Sequence, residues 1–279
     1  MTERGDGHAR GRLLPALALF MLLAGGALAV AFVAYPSPVA SHSSPAGNVG
    51  GWRESPVPPL VEPAFVPPKP RLLGRPRDVF WYSPVRRPAA ARAAPDPSAP
   101  AVAALATRTP EGTENIVLVL GRARGDDGRL WVHVRLAVHP NSRTGWVPRA
   151  ALGGYSAVHT RLVVDIERLT ATLYRAGRAV FRARIGVGRA EWPTPKGEFY
   201  IRNKLTRYAT PFYGPLAFGT SARSSGLTDW PAGGFIGIHG TNRPDLLPGR
   251  VSHGCIRLRN EDILELGRLM AVGTPVTIR

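Results

Sequence analysis

The sequence predicts a mostly-β protein, a β-sandwich-like domain or closed sheet with one helix near its C-terminal end, set behind a long extended segment. Three observations carry this. Short apolar runs of four to eight residues recur from about residue 79 onward, bounded by Gly, Pro, Asn and Asp. Only one stretch, after Asn260, keeps a helical spacing of apolar residues. Eleven prolines crowd residues 36 to 76, where neither helix nor central strand survives.

The chain opens with Arg4, Arg10 and Arg12, then an uncharged apolar run over residues 13–35. That run is long enough to cross ~30 Å of hydrocarbon as a helix. Preceding arginines favour an N-inside orientation, with residues 1–12 as a cytoplasmic tail and the rest outside. The alternative is a cleaved signal peptide, with a small-residue site at Ala29-Val30-Ala31. Either way the chain is expected in the cell envelope. Residues 36–78, as in "ESPVPPLVEPAFVPPKP", predict an extended proline-rich linker.

From 79 to 155 the strand signals are short and turn-separated. "NIVLVL" (115–120) and "RLWVHVRLAV" (129–138) flank the turn-rich "GRARGDDG". Val132, Val134 and Leu136 share one face of the second run, with Trp131, His133 and Arg135 on the other. "TGWVPRAAL" (144–152) follows. This block resembles bacterial SH3-like small barrels, whose closing strands carry a similar Trp-x-x-Val and Gly-Trp-Val-Pro. The resemblance implies a module that binds or positions wall polymer, with a plain spacer as the alternative.

Residues 160–279 continue the pattern. "RLVVDIE", "TATLYR" and "AVFRARIGVG" predict successive strands, with "AGR" as a tight turn between the last two. "EWPTPKGEFYIRNKL" (191–205) runs a punctuated loop into a strand; "GFIGIHG", "CIRL" and "TPVTIR" are shorter ones. In the helix, Asn260 is placed as the cap, with Glu261 and Asp262 at the positive end. Ile263, Leu266 and Met270 share a face, and Gly273 stops it.

Composition narrows the function classes. The formal charge is +17, and only Lys69, Lys196 and Lys204 of the 36 basic residues are lysine. Such a balance favours anionic surfaces. The arginines are scattered, not interleaved with aromatics, and no nucleic-acid motif occurs, so no nucleic-acid partner is predicted.

Cys255 is the only cysteine, which excludes an intramolecular disulfide. A lone thiol in an exported chain is either reactive, paired with another molecule, or a small buried hydrophobe. Its neighbours favour the first. His239 ends a glycine-flanked strand, and Ser252-His253-Gly254-Cys255 returns after a loop holding two prolines and a glycine. Adjacent strands then bring an imidazole to the thiol and raise its thiolate fraction. Gly254 lets a carbonyl approach the backbone, so amides around Gly254 and Cys255 are candidate oxyanion donors. His253 is the rival base, but it is two positions from the thiol and neighbouring strand positions face opposite ways. A zinc site lacks the spacing and the third ligand, so no metal is predicted.

"HGT…SHGCIRL" with the earlier "TPKGEFYI" resembles the L,D-transpeptidase (YkuD-type) catalytic domain, over residues from about Leu162 to Arg279. The resemblance implies Cys255 as nucleophile and His239 as proton donor and acceptor, its second ring nitrogen steered by the Gly240 carbonyl. Ser252, His253 and Gly254 would shape the loop and support the oxyanion site. Some members carry Asn where this chain has Arg257, which would grip a substrate carboxylate or remain a solvated strand charge. Trp192, Phe212, Tyr213 and Trp230 precede the motif, as groove lining or as core. The implied reaction cleaves the diamino acid–D-alanine bond of peptidoglycan stem peptides through a thioester, then crosslinks to an amine, without a cofactor. The alternatives are hydrolysis at the same site, attachment of a wall peptide to a protein, or a non-catalytic wall-binding protein.

Overall fold

The first sheet begins with β1 (Phe80–Pro84), β2 (Ala89–Arg92) and β3 (Ala101–Leu105). It continues with β4 (Ile116–Arg124), β5 (Leu130–Arg135), β6 (Thr144–Pro148) and β7 (Ser156–Val158). The computed structural model describes residues 79–206, 211–224, 226 and 234–279. The expected tail, anchor and linker over 1–78, and Trp230, lie outside the described residues. Among the described residues no helix is long and apolar enough to cross a membrane.

These seven strands pair antiparallel in the order β3-β2-β6-β5-β4-β1-β7. Val132, Val134 and Leu136 face inward as predicted, onto Ala91, Val117 and Val147. Trp131, placed by the alternation on the opposite face, is also buried. A Cβ on Gly125, in the turn between β4 and β5, would lie 2.9 Å from its Nε1.

The second sheet comprises β8 (Thr160–Asp165), β9 (Thr170–Arg175), β10 (Arg178–Arg184), β11 (Gly186–Gly188) and β12 (Gly197–Leu205). After these come β13 (Ala217–Arg223), β14 (Phe235–His239), β15 (Gly249–Ser252), β16 (Ile256–Arg257) and β17 (Pro275–Ile278). Its order is β10-β9-β8-β17-β12-β13-β14-β16-β11-β15. The last strand therefore inserts into the middle, parallel to β8 and antiparallel to β12. The mostly-β expectation with one helix late in the chain is met.

The helix α1 (Asn260–Leu269) buries Ile263 and Leu266, with Met270 just beyond, against the core that contains Phe218, Ile238 and Ile256. Its start differs from expectation. Arg259 occupies the cap position and makes no side-chain cap bond. Asn260 is already helical, and its Oδ1 instead accepts the Thr241 amide at 3.0 Å. The side chain pins the segment that follows His239.

The two sheets touch through buried groups. The Tyr200 hydroxyl donates to the Ile116 carbonyl at 3.0 Å, and burial pushes this phenol up to about 12. Asn141 brackets the Arg223 backbone, donating to its carbonyl at 2.8 Å and accepting its amide at 2.9 Å.

Candidate active site

Strand β14 reads Phe-Ile-Gly-Ile-His. Period-two alternation sends Ile236 and Ile238 into the core and leaves Phe235, Gly237 and His239 on the other face. β16 lies parallel beside it, pairing Ile238 with Ile256 and His239 with Arg257. The two strands thus deliver the histidine and the residue after the thiol loop to one place, beside an open cleft that Cys255 also lines.

The turn into β16 sets the thiol. Gly254 has φ +117°, a conformation closed to most side chains, and a Cβ there would meet Ile236 Cδ1 at 2.9 Å. Ser252 Oγ donates to the Cys255 carbonyl at 2.6 Å and accepts the Gly254 amide at 3.1 Å. Thr194 Oγ donates to the Gly254 carbonyl at 2.8 Å and accepts the Gly188 amide at 2.9 Å. Both polar groups of Gly254 are therefore engaged. The Gly254 amide, one of the candidate oxyanion donors, is engaged by Ser252 in this structure.

Cys255 is half-buried, and its sulfur accepts the Gly237 amide at 3.4 Å. A Cβ on Gly237 would lie 3.8 Å from that sulfur and 3.7 Å from His239 Cδ2. Thiol and imidazole therefore flank the same bare backbone position. His239 is 1% exposed, and its Nδ1 donates to the Gly240 carbonyl at 2.5 Å. A carbonyl only accepts, so Nδ1 carries the proton and Nε2 presents its lone pair. Tyr213 stands edge-on to this ring at 4.8 Å, with Phe212 further out.

Charge is scarce in the resting site. Burial pushes the Cys255 thiol up, although the Gly237 amide and the Arg257 guanidinium oppose the shift. Burial pushes His239 down to about 4; the Gly240 carbonyl opposes this and Arg257 adds to it. Burial thus favours the uncharged form of each group, a thiol beside a free base.

His253 is exposed and packs against Trp192 at 4.4 Å, on the cleft rim. Arg257 is 7% exposed, so it is no solvated strand charge; its guanidinium lies 4.6 Å over the Phe212 ring. Gly237, Thr194 and Asn260 carry geometry that sequence reasoning did not assign. Only Thr194 had a local signal, inside the quoted "TPKGEFYI".

A cysteine in the turn that enters one strand and a buried histidine on the strand beside it, at one glycine-floored cleft, fit a thiol-nucleophile domain. Residues 159–278 match the family model of the L,D-transpeptidase catalytic domain, YkuD. The L,D-transpeptidase YkuD of Bacillus licheniformis is 36% identical over 118 residues, 42% of this chain and 64% of that protein. Its Bacillus subtilis namesake is 37% identical over 117 residues, with the same coverage. The chain thus spans less than two thirds of these curated relatives. A crystal structure of a mutant Enterococcus faecium L,D-transpeptidase is 25% identical, covering 44% of this chain and 50% of that one, with a TM-score of 0.35.

Proposed function

We propose that the protein is an L,D-transpeptidase of the cell envelope, acting on peptidoglycan stem peptides. The observation that carries this reading is the meeting of the Cys255 sulfur and the His239 ring over Gly237. Nε2 of His239 takes the thiol proton as the sulfur attacks the carbonyl between a diamino acid and a terminal D-alanine. The oxyanion forms beside the Cys255 amide. D-Alanine leaves with the proton from His239, and a thioester remains. An amine of a second stem then gives its proton to His239, attacks the thioester and restores the thiol. No cofactor enters the cycle.

Arg257 holds a stem-peptide carboxylate. Its Nε is buried and has no hydrogen-bond partner among the described residues, which suits an anion arriving with substrate. Tyr213 braces the His239 ring, and Ser252 with Gly254 sets the turn; His253 contributes to the cleft rim. Residues 13–35 tether the chain to the membrane, 36–78 space it from the surface, and 79–155 form an SH3-like module directed at wall polymer.

The test has two stages. Intact mass after exposure to a carbapenem should show one covalent adduct on the wild type and none on Cys255→Ser. Wall fragments incubated with the full-length protein should then yield crosslinked dimers. Trimmed monomers would assign the site to hydrolysis, and no adduct at all would leave only a wall-binding role.

A further inference from the structure

We propose that Glu111, on the connection between β3 and β4 of the first sheet, is a positioning residue for the cleft of the second. It acts through Arg202 on Phe235. The inference rests on the reading that Cys255 is acylated.

Arg202 projects from β12 with a side chain only 3% exposed. A guanidinium so buried is tolerated only when its donors are met. Nη2 donates to Glu111 Oε1 at 2.6 Å and Nε to the Thr220 carbonyl at 3.0 Å. The flat face of the same group lies 3.6 Å over the Phe235 ring, and the Arg223 guanidinium lies 4.5 Å from that ring. Two cations therefore share one aromatic ring. Burial lowers the Arg202 pKa, with the Arg223 charge adding a little, while the Glu111 carboxylate opposes the shift.

The second carboxylate oxygen accepts Asn203 Nδ2 at 3.2 Å, and Asn203 Oδ1 accepts the Gly219 amide at 3.1 Å. That contact sits where the β12–β13 register shifts. One acid thus fixes both consecutive residues of β12. Phe235 opens β14 on the face shared by Gly237 and His239, and it lines the cleft. Without the acid, a buried cation stays unpaired and the ring between the two arginines loses its seat.

Docking of the sheets does not depend on this pair alone. Tyr200 with Ile116, Asn141 with the Arg223 backbone, and the Glu198 amide on Ser142 Oγ at 2.8 Å hold the same interface. Replacing the acid should therefore alter the cleft wall while the sheets stay joined.

The test uses the full-length protein and carbapenem acylation of Cys255, followed across concentration, with thiol titration to count active molecules. Glu111→Gln should raise the half-saturating concentration about tenfold and leave the saturating rate within about threefold. Glu111→Asp should shift it less. In a Phe235→Leu background the Glu111→Gln effect should disappear, because the ring that transmits it is gone. An unchanged half-saturating concentration, additive effects in the double variant, or a loss matched by fewer active thiols overturns the inference. If Glu111→Gln does not fold, Glu111→Asp alone and with Phe235→Leu decides it by the same criteria. A wild type that forms no adduct overturns the transpeptidase reading and this inference together. A wild type that reacts while the Glu111 variants match it overturns this inference alone.

Discussion

The amide of Gly237 donates to the sulfur of Cys255 across 3.4 Å, on the strand that also carries His239. The backbone thus greets the nucleophile with a donor and no side chain. A thiolate formed there keeps one hydrogen bond from the moment it loses its proton.

Gly237→Ala should separate stability from chemistry. The new methyl would meet Phe218 O, His239 Cδ2 and Cys255 Sγ at 3.6 to 3.8 Å, all ordinary contacts, and the position has no left-handed backbone. Melting temperature should stay near the wild type. Acylation should fall by about 10²-fold, because the methyl occupies the notch between the reacting groups. Native acylation by this variant would mean that the acyl donor does not enter over Gly237.

The two histidines should differ sharply. His239→Ala removes the proton acceptor and should slow Cys255 acylation by about 10²- to 10⁴-fold. His253→Ala removes an exposed ring tilted against Trp192 and should change the rate by less than about tenfold. Stopped-flow acylation of both variants checks the ordering; a reversal would hand the base role to His253.

Acid should weaken the fold through His239. The unfolded imidazole takes up its proton near 6.5 and the folded one near about 4. Between those values the unfolded state binds more protons, so stability rises with pH across that window and is lost as pH falls through it. The full depression is worth about 3 kcal/mol. Urea unfolding at pH 4 and pH 7 should show this slope in the wild type and not in His239→Gln. Acylation should keep a competent base until the same acid limit; a rate profile breaking near 6.5 would contradict the buried, neutral imidazole.

Asn260→Ala should act at a distance from the sulfur. It deletes the acceptor of the Thr241 amide, at a cost of about 1 kcal/mol in stability. Thr241 follows the Gly240 carbonyl that orients His239, so the saturating acylation rate should fall more than the half-saturating concentration rises. Asn260→Asp, which keeps the acceptor, should recover most of the rate.

Much of this was legible in the sequence because it is local. The Val132-Val134-Leu136 face, the Ile263-Leu266-Met270 face and the return of Ser252-His253-Gly254-Cys255 toward His239 follow from strand and helix periods and from turn chemistry. What escaped is non-local. The Arg202–Glu111 pair joins residues 91 positions apart, and no local pattern marks either. Asn260 looked like a cap because capping is its commonest work at a helix start; a nearby unpaired amide at Thr241 drew it elsewhere. Trp131 is buried on the face opposite the Val132-Val134-Leu136 core, which the period of the strand does not mark.

The neutral thiol has a chemical consequence beyond acyl transfer. Peroxides and disulfides attack the thiolate, not the protonated sulfur. A sulfur whose surroundings favour the protonated form is a poorer target for them. The burial that withholds its charge also shields the single cysteine of the sequence, which has no second thiol to resolve an oxidised sulfur.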